Sequence, residues 1–128
     1  MRATTPGQFR SIQEVFNHVA AHLLEQNEVC SCYGTRPDYW DTNGRSCAIG
    51  CLVPESMQQE YVTTAYRGPE NDLRTLWTKL LGFECDHFTK AFLTELQRVH
   101  DLYKPADWRK KLKQLATFYD LGAAVTKA

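Results

Sequence analysis

Four of the five cysteines fall within 22 residues, as Cys30-Ser31-Cys32 and Cys47-Ala48-Ile49-Gly50-Cys51. Zinc takes four thiolates in a tetrahedron, and two short cysteine pairs on adjacent segments can supply them. On a strand, C-x-C places both thiols on one face; C-x3-C does so on a strand or on a helix. The spacings depart from the usual C-x2-C, and cysteine is also a small, readily buried hydrophobe. Zinc binding by Cys30, Cys32, Cys47 and Cys51 and plain packing of the same residues therefore stand side by side as readings.

A second chemistry pairs a thiol with an imidazole. His100 lies one turn after Leu96, near the inward stripe of its helix, and Asp101 follows it. Cys47 as nucleophile, His100 as base and Asp101 as orienter would form a small Cys-His enzyme. The other reading of His100 is a core histidine bonded to the backbone or to a tyrosine. His18 and His22 have the i, i+4 spacing of metal ligands, with Glu14 one turn earlier. The apolar stripe places His22 at its border and His18 toward solvent, which predicts a solvated helix edge. There is no Gly-rich phosphate loop, no H-E-x-x-H, no G-x-S-x-G and no paired-carboxylate signature.

Two further stretches suit binding. Arg36-Pro37-Asp38-Tyr39-Trp40-Asp41 sets two large aromatics among charges in a turn-rich loop. Tyr, Trp and Arg are the residues enriched at interaction hot spots. Alternatively, Trp40 folds back to fill the edge of the core. Arg109, Lys110, Lys111 and Lys113 are locally basic, but helical spacing spreads them over the face opposite Trp108 and Leu112. Fifteen basic residues balance fifteen acidic ones. That neutrality argues against nucleic acid as a partner, since such binders carry a basic excess.

The elements that position these residues are mostly helices. A chain of 128 residues with 43% hydrophobic and 12% aromatic content is suited to one globular domain. The domain is expected over residues 9–122, between a loose tail at 1–8 and a frayed one at 123–128. No apolar run approaches the ~18 residues of a membrane span, and the first residues lack the apolar stretch of a signal peptide. An odd cysteine count does not suggest a closed disulfide framework. These features point to reduced thiols in a bacterial cytosol.

Ile12, Val15, Phe16, Val19 and Leu23 recur at helical spacing. Ser11 and Glu14 read as a capping box at the head of a helix over residues 11–26. Residues 28–45 are rich in turn formers, with Asn43-Gly44 as the tightest turn signal. With the segment 46–53 they predict a small β-hairpin or loop insertion after the first helix. Pro54 to Gly68 permits a short helix, since Met57, Tyr61 and Ala65 sit at i, i+4, i+8. A helix with Leu73, Leu76, Trp77 and Leu80 inward ends at Gly82. The next starts at the N-cap Asp86 and carries the stripe Phe88, Phe92, Leu96, Val99, Tyr103. The last starts at Pro105, turns Trp108, Leu112, Leu115 and Tyr119 inward, and ends at Gly122. The predicted fold is mainly α: four to five helices around one core.

Several of these residues also carry a resemblance. Ile12-Gln13-Glu14-Val15-Phe16, His18-Val19-Ala20, His22-Leu23-Leu24, Cys32-Tyr33, Cys47-Ala48-Ile49-Gly50-Cys51-Leu52-Val53-Pro54-Glu55, Leu96-Gln97-Arg98-Val99-His100-Asp101, Trp108 and Leu112 together resemble a family of small uncharacterised proteins of tailed bacteriophages and prophages. The resemblance runs from about residue 9 to 120, and CAIG-x-L-x-P is its most specific part. In the family pattern the position of Cys51 varies, and the loop 34–44 is longer here than the family's short turn. The resemblance implies a phage accessory protein acting in the cytoplasm of the bacterial host. The family itself implies no biochemical activity; many small phage accessory proteins bind and block a host or antiviral-defence protein, and that is the expected role by association. The aromatic content of the loop makes Arg36, Asp38, Tyr39, Trp40 and Asp41 the expected contact residues, with no cofactor unless zinc is held.

Overall fold

The stripe Val15, Phe16, Val19, Leu23 winds into α1, Ile12–Gln26, and each of its residues is buried. The computed structural model describes residues 9–28, 30, 46–67 and 70–122. Within them follow α2 (Gln58–Arg67), α3 (Glu70–Leu81), α4 (His87–Leu102) and α5 (Pro105–Phe118). Short 3-10 turns at Gly50–Leu52 and Glu55–Met57 lead into α2. The fold is mainly α, with no strand among the described residues. The segment 46–53 is a turn and a 3-10 helix, not the strand arm of a hairpin. Gly50 and Leu52 are both buried there, and Leu52 N–H and Val53 N–H donate back to Ile49 O and Gly50 O at 3.0 and 3.2 Å, so local turn bonds take groups that a strand would pair with a neighbour. Apart from Cys30, the first expected arm and the turn at Asn43-Gly44 lie outside the described residues.

α1 packs against both α4 and α5, α4 packs against α5, and α2 pairs with α3. Trp108, Phe16, Phe92, Leu23, Leu96 and Leu112 are among the largest fully buried side chains, so the centre lies where α1, α4 and α5 meet. The ends of the described chain are tied in. Phe9 N–H donates to Leu81 O at 3.0 Å, and Gly122 N–H donates to Gln13 Oε1 at 2.6 Å.

The helix ends show how local chemistry sets boundaries. Asp86 caps α4, its Oδ1 accepting from Thr89 N–H at 2.8 Å, and Pro105 opens α5. Gly82 leaves α3 with φ 95°, a conformation that costs glycine little. At α1 the expected capping box is replaced. The Ser11 side chain makes no cap bond, and the Glu14 carboxylate accepts from Arg10 N–H at 3.3 Å. α5 stops four residues before Gly122. Asp120 takes the left-handed conformation with φ 56°, and Leu121 N–H reaches back to Ala116 O at 2.8 Å. This is a Schellman closure built on aspartate. Phe88, expected on the inward row, is 57% exposed. It lies in the first turn of α4, where the row meets Tyr119 at the end of α5, with ring centroids 5.3 Å apart. Tyr103 is also exposed; it is the C-cap of α4 and carries Lys111 Nζ 4.5 Å above its ring.

The Asp86 cap gives a pH test. Hydrogen bonds from Thr89 hold its carboxyl below the ordinary value of 3.8. A lowered folded-state pKa means a contribution that is whole above 3.8 and lost as pH falls through the lower folded value. Asp86→Asn keeps the cap acceptor without the titration. The stability gap between wild type and Asp86→Asn, measured by urea unfolding, is expected to be constant above about pH 5 and to shrink below about pH 4.

Candidate functional site

One edge of α1 carries His18, His22 and Gln26 at i, i+4, i+8, a row that drifts only ~40° per step. All three reach the segment 46–51. His18 Nε2 lies 3.3 Å from Cys51 O, and since a carbonyl only accepts, the ring donates. His22 Nε2 lies 2.9 Å from Ser46 Oγ and 3.1 Å from Ser46 O. Gln26 holds both backbone groups of Ser46. Its Oε1 accepts from Ser46 N–H at 3.0 Å and its Nε2 donates to Ser46 O at 3.0 Å, as a neighbouring strand would. The edge expected to be solvated is thus a docking rail for the returning chain, and His18 and His22 serve the backbone there.

α4 supplies the opposite wall. Cys30 N–H donates to His100 Nε2 at 2.9 Å, and His100 Nδ1 lies 2.8 Å from Asp101 Oδ1. A backbone amide has only a proton to give, so Nε2 must be the bare nitrogen. The ring proton therefore sits on Nδ1 and is donated to Asp101. Asp101 Oδ1 also accepts from Gln97 Nε2 at 2.9 Å, and Gln97 Oε1 accepts from Ile49 N–H at 3.0 Å. A continuous run of side-chain bonds on one helix face joins Cys30 to Ile49. The two walls thus hold the chain at Cys30 and at Ser46, the described residues that flank 31–45.

This arrangement decides what the sequence-predicted residues can do chemically. His100 is 4% exposed, with both ring nitrogens engaged and the ring 5.6 Å from that of Trp108. It has no lone pair to offer a thiol. Cys47 is buried, and its thiol receives Gly50 N–H at 3.2 Å. Burial pushes the Cys47 pKa up to about 12, outweighing the Gly50 bond, which lowers it. A reactive cysteine needs the opposite shift. The half-buried Cys51 donates its S–H to Ala48 O at 3.1 Å, and burial raises its pKa as well. Asp101 works as the orienter of His100, the part foreseen for it, but toward a backbone amide in place of a nucleophile.

Cys30, Cys47, Cys51 and Cys85 are in the thiol form, outside any disulfide. Among the described residues no group of three or more His, Cys, Asp or Glu side chains is placed to hold a metal; Cys32, the fourth expected zinc ligand, lies outside them. Arg36, Asp38, Tyr39, Trp40 and Asp41 lie outside them too. On α5, Lys110 and Lys113 are exposed while Arg109 and Lys111 are half-buried. Among the described residues no helix is long and apolar enough to cross a membrane.

Gln26 and Gln97, to which the sequence analysis assigns no role, each make the key backbone contact of their wall. Their signal was periodic: Gln26 extends the i, i+4 row of His18 and His22, and Gln97 stands i, i+4 from Asp101. No protein family, curated protein or solved structure matches the chain.

Two measurements check this site. At pH 8 a thiol of pKa 12 is only ~10⁻⁴ thiolate. Iodoacetamide is therefore expected to label Cys47 no faster than the domain opens, as read by peptide mass spectrometry. His100→Ala leaves the buried Cys30 N–H without an acceptor and is expected to cost about 1–3 kcal/mol. Asp101→Asn, which keeps an oxygen acceptor for the ring proton, should cost less in the same urea titration.

Proposed function

We propose that this protein acts by stoichiometric binding to another protein, with residues 36–41 as its contact surface. The observation that carries this reading is that Cys30 and Ser46, the described residues on either side of 31–45, are both held by side chains of the helical body. His100 holds Cys30, and His22 with Gln26 holds Ser46. Binding residues are commonly loop residues positioned by a rigid scaffold. Anchored ends leave less chain freedom to be lost on association. The aromatic and charged content of 36–41 fits a contact surface, with Tyr39 and Trp40 as anchors and Arg36, Asp38 and Asp41 around them.

The site's chemistry supports binding over catalysis. The thiols best placed for reaction are buried with raised pKa, and the one buried imidazole is spent on the backbone. The resemblance to small proteins of tailed phages favours a bacterial host or antiviral-defence protein as the partner, met in the host cytoplasm. That step is an analogy and supplies no mechanism by itself.

The test begins with capture of the partner by tagged protein from an infected or defence-carrying bacterial lysate, identified by mass spectrometry. Calorimetry with the purified partner then compares wild type with Tyr39→Ala and Trp40→Ala. A hot-spot residue contributes about 2 kcal/mol or more, roughly thirtyfold in Kd. Each variant is expected to weaken binding by that order with an unchanged melting temperature. Unchanged affinity in both variants would reject residues 36–41 as the contact surface.

A further inference from the structure

We propose that the groove between α4 and α5 is an interface with a second copy of this chain, the two α4 helices lying antiparallel across a two-fold axis. The large hydrophobic side chains exposed among the described residues are Phe88, Leu102, Tyr103 and Phe118, and each stands on α4, on α5 or at the junction between them. Phe118 is 80% exposed and Leu102 63%. The groove has a volume of about 560 Å³, with Ala91 and Leu102 of α4 along one side and Leu115 and Phe118 of α5 along the other. Phe88 joins the same surface through Tyr119, whose ring meets those of Phe88 and Phe118 at 5.3 and 5.1 Å. Single exposed hydrophobes need no explanation, but large ones gathered on one face mark a contact.

The spacing along α4 gives the kind of contact. Phe88, Ala91, Glu95, Arg98 and Leu102 alternate steps of three and four, the a and d spacing of a helix that packs lengthwise on another helix. This row is distinct from the inward one. Phe92, Leu96 and Val99 are buried in the domain, whereas Phe88, Ala91, Arg98 and Leu102 are exposed and Glu95 is half-buried.

The charges of the outward row choose the occupant. A two-fold axis midway between Glu95 and Arg98 sets Glu95 opposite Arg98 of the second copy, and Arg98 opposite its Glu95. The same axis sets Leu102 opposite Ala91, the smallest side chain of the row, at both ends of the seam. A parallel pair would stack glutamate on glutamate and arginine on arginine. Glu95 and Arg98 already meet within the chain at 3.3 Å, well exposed to water. Antiparallel pairing adds a second counter-charge to each and closes a ring of four. An isologous contact requires a patch that is complementary to itself, and one acid and one base three residues apart, flanked by a small and a large apolar residue, make such a patch. This contact is additional to the one assigned to residues 36–41.

The test is sedimentation equilibrium of the full chain from about 10 µM to about 1 mM, where the wild type should pass from monomer toward dimer. Glu95→Arg gathers only positive charge at the axis and Arg98→Glu only negative, so each variant alone should dimerise at least about tenfold more weakly. An equimolar mixture of the two variants again opposes acid to base across the axis and should recover the wild-type association. Leu102→Asp should weaken the dimer by a similar factor. Leu102 is mostly exposed, so this variant decides if a charge variant melts early. A chain that is monomeric to about 1 mM overturns the proposal, whether residues 123–128 or a different protein then cover the groove. So does a mixture no more associated than its components, or a Leu102→Asp chain that dimerises as the wild type does.

Discussion

Where the chain leaves the core at Cys30, a buried backbone N–H must find an acceptor, and the structure supplies an imidazole. An unmet amide there would cost about 1–3 kcal/mol, a large share of the stability of a domain this size. The acceptor is effective only as a neutral ring with its proton on the other nitrogen. Asp101 enforces that tautomer, Gln97 enforces Asp101, and Ile49 N–H closes the run. One helix face thus fixes two chain segments that are far apart in sequence. Trp108 packs beside the His100 ring, so the same histidine also joins the polar run to the helical core.

The turn 46–53 depends on this arrangement because so few of its polar groups are met by regular structure. Gln26 takes both backbone groups of Ser46, His18 takes Cys51 O, Gln97 takes Ile49 N–H, and Cys47 Sγ takes Gly50 N–H. Cysteine suits such a place. It is small and apolar enough to be buried beside Leu52 and Val53, yet its sulfur can accept or donate a weak bond to a turn. The clustering that suggests chemistry in the sequence is explained for Cys47 and Cys51 by packing and turn closure. Their burial, in turn, removes the thiolate that nucleophilic chemistry would need.

How much of this was legible follows from the kind of signal each residue gives. The helices carried long apolar rows, so α1 and α3 to α5 could be read from Val15, Leu76, Leu96 or Leu112 and their neighbours. Asp86 and Pro105 marked starts through local chemistry, and their roles are local in the structure as well. Phe88 and Tyr103 were misread because a periodic row says nothing about where the opposing helix ends. Ser11 and Gly122 differ from expectation for a related reason: the Glu14 carboxylate reaches Arg10 N–H, one residue earlier than the capping box requires, and Asp120 takes the left-handed position before Gly122 is reached. For the site, His100 with Asp101 was recognisable as a pair, but its target was not. The Cys30 amide is 70 residues away in sequence, and a backbone donor leaves no mark in the residue code. Gln26 and Gln97 carry only a periodic signal, which does not point to a backbone partner, since glutamine on a helix edge usually faces water.

The α4 wall serves a second place as well. Gln97 and Asp101 line the cavity bounded by Tyr61 of α2, Trp77 of α3 and Leu93 of α4, while belonging to the run that holds Cys30 and Ile49. Asp101 Oδ1 receives both the His100 ring proton and a Gln97 N–H, so removing that carboxylate acts on the seat of Cys30 and on the cavity lining at once. Gln97, His100 and Asp101 therefore tie the Cys30 amide and the turn 46–53 to one face of α4, and a change in any one of the three is felt by the other two.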